Sequence, residues 1–228
     1  MSNTIKTTGT LYIVATPIGN LGDITLRALE TLKSVEAILC EDTRVTKKLL
    51  FHYEITKTTL SFHEHSDARK IVSLLERLQS GDSLALVTDA GTPGLSDPGN
   101  VLVEEALKQE IKVVPIPGVS ALTALVSVAG IDMREFVFLG FPPHKKGRQT
   151  FFQKVSDSQM PVMYYESPHR VLKNLELLRE LNAEKKIILG RELTKMFEEV
   201  VQGGIEEVQM YFQKHPEKVK GEFTIIVY

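Results

Sequence analysis

Along the first half of the chain the apolar positions alternate between two periods. Continuous apolar runs at Thr10–Thr16, Ala37–Cys40, Thr58–Phe62, Ser83–Thr88 and Lys112–Ile116 predict buried strands. Between them the spacing turns helical: Ile24–Val35 carries Leu26, Leu29 and Leu32 for one buried face, Thr43–Phe51 follows, and Asp67–Gln79 places Ile71, Leu74, Leu75 and Leu78 on one stripe. After Asp97-Pro98-Gly99, with Asp97 a candidate N-cap, Val101, Leu102 and Leu107 read as helix, and Ala121–Ala129 is a helix of small and aliphatic residues. Strand and helix in strict alternation imply parallel strands joined by crossover helices.

From Phe136 the order changes. Phe136–Gly140, Val162–Glu166, Ile187–Gly190, Met196–Gln202 and Phe223–Tyr228 predict strands, with helices at Val171–Leu181 and Glu206–Lys214. Successive strands without a helix between them imply antiparallel pairing. The expectation is an α/β chain of two units, 1–117 with a mainly parallel sheet and 118–228 with a mixed sheet, meeting near Pro117 at a cleft.

Composition narrows the function classes. With 228 residues, 43% hydrophobic and 25% charged, the chain has the balance of a folded protein. Its net charge of −2 lacks the overall basic excess of many nucleic-acid binders, so an RNA contact must use local basic patches. One cysteine, Cys40, inside an apolar run, excludes a disulfide framework. The polar N-terminus has no apolar leader, which fits a cytoplasmic protein. Val113 to Ile131 is free of charge and long enough to span a bilayer, but Pro115, Pro117 and Gly118 break it into strand, turn and buried helix, so no membrane span is expected.

The chemistry is concentrated in loops that follow predicted strands, where backbone donors and helix N-termini gather. Thr16-Pro17-Ile18-Gly19-Asn20-Leu21-Gly22-Asp23 follows the first strand, with Asp23 a candidate helix cap; it matches neither Gly-x-Gly-x-x-Gly nor the P-loop pattern. Thr88 to Gly99 is dense in glycine and proline, which lets a flat ring lie against backbone, and Asp89 offers a carboxylate at the strand end. Pro117-Gly118-Val119-Ser120-Ala121 adds a third compact turn. Polar clusters follow other strands: Glu41-Asp42-Thr43-Arg44, Tyr165 to Arg170, and Arg191 to Lys195. His63 and His65 have a spacing that suits a metal, but no third ligand lies near them in sequence and no metal is expected. Phe141 to Arg148, with Lys145, Lys146 and Arg148, reads as a mobile basic lid whose RNA binding would be salt-sensitive.

These loops also carry a resemblance. Leu11 to Thr25, Glu41 to Arg44, Asp89 to Gly94, Pro117 to Ala121 and Tyr165 to Arg170, with the Gly221–Val227 strand, closely resemble the ribosomal RNA methyltransferases of the tetrapyrrole (precorrin, uroporphyrinogen) methylase superfamily. The resemblance implies a two-domain α/β fold that holds S-adenosylmethionine in the cleft between domains, a homodimer, and as substrate the 2′-hydroxyl of a decoding-centre cytidine in small-subunit (16S) ribosomal RNA, free or in the 30S particle. It implies a cofactor pocket of Pro17, Gly19, Asp89, Gly91, Thr92, Gly94, Gly118, Ser120, Ala121 and Tyr165. Longer members continue past the position of Tyr228, so RNA contacts from such a segment are not expected of these residues.

Transfer of a methyl group to an alcohol needs an in-line acceptor and a proton acceptor, with cations near the developing alkoxide. The expected base is Glu166, with Asp42 as second choice. Arg44, Arg170, Arg191 and Lys195 are expected to hold phosphates or the alkoxide, and His169 to orient the nucleotide. Two alternatives remain at this point: a methylase of a small tetrapyrrole, and a non-catalytic ribosome-assembly factor.

Overall fold

The computed structural model describes residues 8–63, 67–96 and 99–228, and it divides into two compact units, Met1–Ser120 and Ala121–Tyr228. His65 and Asp97 lie outside the described residues.

In the first unit the elements run β1 (Thr10–Val14), α1 (Leu26–Ser34), β2 (Ala37–Cys40), α2 (Thr43–His52), β3 (Thr58–Ser61), α3 (Ala68–Gln79), β4 (Leu84–Leu86), α4 (Asn100–Lys108) and β5 (Lys112–Ile116). All pairings are parallel, in the order β3-β2-β4-β1-β5. Side chains alternate across the sheet because successive Cβ atoms point to opposite faces. Leu39, Leu84 and Leu86 pack with α3 and α4 through Leu74, Leu78 and Leu102, whereas Ile38, Cys40, Ala85 and Val87 pack with α1 and α2 through Ala28, Leu32 and Leu50. The chain thus leaves β1 through α1 on one face and β4 through α4 on the other. Adjacent strands whose crossovers depart to opposite faces form a topological switch point, the place where open α/β sheets bind ligands.

The second unit contains α5 (Ala121–Val128), β6 (Val137–Phe138), α6 (Arg148–Asp157), β7 (Val162–Glu166), α7 (Val171–Leu181), β8 (Lys186–Arg191), β9 (Glu199–Gly204), α8 (Ile205–Lys214) and β10 (Phe223–Val227). Its sheet has the order β6-β7-β10-β8-β9, mixed as expected, with β6 parallel to β7 and β10 antiparallel to both β7 and β8. Phe152, Leu175, Leu178, Val208 and Phe212 from α6, α7 and α8 close its core.

Four local expectations are corrected. Leu26 stands 79% exposed at the first position of α1, where the buried face is Ala28, Thr31 and Leu32. Asp23 does not cap α1; Thr25 does, its Oγ1 accepting from the Ala28 amide at 3.1 Å. The segment around Phe141 to Arg148 ends in a helix, α6, that begins at Arg148 and seats Phe152 in the core. The strand expected at Met196 starts at Glu199, and Met196 and Phe197 are exposed in the preceding turn. The charge-free run resolves into β5, a turn and α5, and no helix among the described residues is long and apolar enough to cross a membrane.

Candidate active site

Three loops at the carboxyl edge of the parallel sheet are laced by main-chain and threonine-hydroxyl hydrogen bonds. Thr16 and Gly91 form an isolated bridge, each amide donating to the other's carbonyl at 2.9 and 3.0 Å. Thr16 Oγ1 donates to the Thr88 carbonyl at 3.0 Å, and Thr92 Oγ1 to the Val119 carbonyl at 3.3 Å. The loop after β1 therefore binds the loop after β4, which binds the loop after β5.

Glycine is required at two of these crossings. Gly91 has φ +87°, a left-handed conformation that strains other residues, and a Cβ there would meet Ile18 Cγ2 at 3.4 Å. At Gly118 a Cβ would lie 2.9 Å from Ala15 Cβ, inside any normal contact. The expected pocket residues Pro17, Gly19, Asp89, Gly91, Thr92, Gly94, Gly118 and Ser120 all belong to these loops of the first unit. Ala121 opens α5, and Tyr165 lies on β7 against Phe138 and Phe141, both in the second unit.

Beside this edge, Asp89 Oδ1 accepts from the Asp42 amide at 3.1 Å, joining the end of β4 to the end of β2. Asp42 caps α2 through the Arg44 amide and pairs with the Arg44 guanidinium at 2.6 Å. The hydrogen bonds from Arg44 hold the Asp42 carboxyl at about 2, well below the usual range. Arg44 is still 85% exposed along its side chain. Cys40, next to this cluster in sequence, is buried, and burial pushes its thiol upward.

In the second unit Glu166, the expected base, ends β7. The Glu166 side chain has no exposed surface; its carboxylate accepts from the Ser167 amide at 2.7 Å and from Asn174 Nδ2, and pairs with Arg170 at 3.3 Å. Arg170 also donates to Ser167 Oγ and to the Pro142 carbonyl at 3.0 Å, tying the end of β7 to the loop after β6. A carboxylate enclosed this way anchors its neighbours. Asn174 was missed by sequence reasoning, although a polar residue among Val171, Leu175 and Leu178 on a buried helix face is a usable signal.

Arg191 is enclosed in a similar way. Arg191 is buried and donates to the Lys220 and Phe197 carbonyls at 3.1 and 3.0 Å, with Glu199 at 4.0 Å, so it is held inside the turn between β8 and β9. Lys195 is bracketed by Glu192 at 2.9 Å and Glu222 at 3.2 Å, which compensates its charge. His169, Lys145 and Lys146 are exposed and Arg148 half-buried. No group of three or more His, Cys, Asp or Glu among the described residues is arranged to hold a metal ion.

Residues 10–209 match the family model for Tetrapyrrole (Corrin/Porphyrin) Methylases. The chain is 48% identical over 220 residues to the Ribosomal RNA small subunit methyltransferase I of Borrelia garinii subsp. bavariensis, covering 95% of this chain and 97% of that one. It is 46% identical to the protein of the same name from Streptococcus pyogenes serotype M1, covering 97% of this chain and 77% of the other. Among solved structures, a diphthine synthase superposes with TM-score 0.74 at 14% identity, covering 96% of this chain and 89% of that chain. A cobalt precorrin-4 methyltransferase superposes with TM-score 0.71 at 14% identity, covering 95% and 94%, a likeness of fold.

Proposed function

Because the chain belongs to the tetrapyrrole methylases, and within them to the group of ribosomal RNA small subunit methyltransferase I, we propose that it methylates the ribose 2′-hydroxyl of a cytidine in small-subunit ribosomal RNA, with S-adenosylmethionine as donor. The lacing of three glycine-bearing loops through Thr16, Gly91 and Val119 carries this reading, since it leaves a backbone-lined edge at the switch point of the sheet.

That edge fits an adenosyl group. Its loops meet main chain to main chain at Thr16 and Gly91, its close approaches are at positions that a Cβ would fill, and the exposed Asp89 supplies a carboxylate for a cationic ligand. Pro17, Gly19, Gly91, Thr92, Gly94, Gly118 and Ser120 would hold the nucleoside, with Ala121 and Tyr165 assigned to the same role by family resemblance. When bound, S-adenosylmethionine supplies an electrophilic methyl group on a sulfonium.

The chain's own contribution is orientation and proton handling. Asp42 takes the proton of the ribose hydroxyl, Arg44 meets the neighbouring phosphate, and Lys145, Lys146, Arg148 and His169 steer and hold the RNA strand. Glu166, Asn174 and Arg170 fix the loops on which that binding depends. The protein works as a homodimer in the cytoplasm.

Gly118→Ala tests the cofactor edge. The added Cβ must push the loop after β5 away from Ala15. Calorimetry is expected to show S-adenosylmethionine bound at least about tenfold more weakly, a loss of roughly 1.4 kcal/mol, with RNA affinity within twofold of wild type. Unchanged cofactor affinity would place the binding edge elsewhere.

A further inference from the structure

We infer that the outward face of α2 is a second RNA-binding surface, separate from the basic loop before α6; the inference rests on RNA being the substrate. The helix is cleanly two-sided. Thr46, Leu49 and Leu50 face the core, while Arg44, Lys47, Lys48, Phe51 and His52 are exposed on the other side. Arg44, Lys48 and Phe51 are spaced i, i+4 and i+7 and so stand in one row, with about 6 Å of helix rise between the two cations.

The charge on this face is one-sided. Thr43–His52 contains three cations and no acid, in a chain whose net charge is −2. Only Arg44 has a carboxylate partner, Asp42; among the described residues Lys47 and Lys48 have none within ion-pair distance. Phe51 is 86% exposed at the end of the row. Cations in line with an exposed ring match a single-stranded nucleic acid, whose phosphates track the cations and whose bases stack on the ring. The row begins at Arg44, which pairs with Asp42, the proposed proton acceptor, so a strand lying along it is led to the site.

The test measures binding of the wild-type protein and two variants to a labelled small-subunit RNA fragment as salt is varied. Lys47→Ala with Lys48→Ala should weaken binding and flatten the log–log salt slope by about 0.7 for each phosphate that no longer meets a lysine. Phe51→Ala should weaken binding on the order of tenfold with the slope unchanged, and Phe51→Trp should keep wild-type affinity. S-adenosylmethionine affinity and thermal stability should not move. If the wild-type protein methylates this RNA and the variants bind it equally well with the same slope, the surface assignment fails alone. If the wild-type protein does not bind it, the substrate reading and this surface fall together. Dissociation of a dimer, or reduced adhesion to anionic vesicles, with RNA affinity intact would assign the face to a second copy or a membrane surface and overturn the inference.

Discussion

Replacing Asp42 by Asn should lower kcat for RNA methylation by roughly a hundredfold or more, within the 10²–10⁴ range of a general base, while leaving S-adenosylmethionine affinity within twofold. Asn caps a helix about as well as Asp, so α2 keeps its start and the loss is not one of folding. In the resting pair Arg44 holds the Asp42 carboxyl at about 2, which makes it a weak base. The exposed Arg44 guanidinium is also a phosphate ligand, and an RNA phosphate that draws it away restores the basicity of the carboxylate where the hydroxyl arrives.

The sign of the pH effect follows. The active form is the carboxylate, so kcat/KM falls as pH drops through the carboxyl's value in the free enzyme. With Arg44 present that loss lies near 2, below the working range. Arg44→Ala removes the guanidinium, the largest cause of the depression, while the backbone amides of residues 44 and 45 remain, so the acid limb should move up toward about 4 without reaching it, with a higher KM for RNA. An acid limb that does not move would detach Asp42 from the proton transfer.

Glu166→Ala should destabilise the protein by about 3–5 kcal/mol, the cost of leaving one partner of a buried pair alone. Arg170, with 16% side-chain exposure, would lose its carboxylate, and Asn174 and the Ser167 amide would lose an acceptor. Thermal unfolding should fall by roughly 10 °C. Glu166→Gln keeps the shape but loses the charge; it should lower the melting temperature while retaining turnover per folded molecule to within about tenfold. A Glu166→Gln protein of normal stability and negligible turnover would return Glu166 to the role of base.

The parallel half of the fold was legible because each strand is one apolar run and each helix one stripe. Leu84, Ala85, Leu86 and Val87 serve opposite faces, yet all four are apolar because both faces are covered. The helix at Arg148–Asp157 was not legible: Phe152 and Val155 are its only fully buried apolar residues, and two adjacent prolines precede it. Leu26 misled because its spacing suits the buried stripe, while at the first position of α1 it stands exposed.

At the site, the glycine-rich loops announced themselves, since Gly91 and Gly118 stand where backbone meets backbone. The polar clusters were harder to read. Glu166 ends an apolar strand and Asp42 stands two residues past one, each a few residues before an arginine, and nothing in that local pattern says which carboxylate is enclosed. Asn174 decides it from eight residues away, by filling a buried helix position with the donor that takes up Glu166. Arg191 likewise depended on carbonyls of Phe197 and Lys220, contacts set by the turn and not by sequence spacing.

Methyl transfer to a ribose hydroxyl is tested by incubating the protein and tritiated S-adenosylmethionine with small subunits purified from cells that lack this enzyme, then hydrolysing the RNA with alkali. A 2′-O-methyl group blocks cleavage at its own nucleotide, so the label should emerge in an alkali-resistant dinucleotide that begins with cytidine. Label released in a mononucleotide, or no label in RNA with transfer to a tetrapyrrole instead, would contradict the proposed activity.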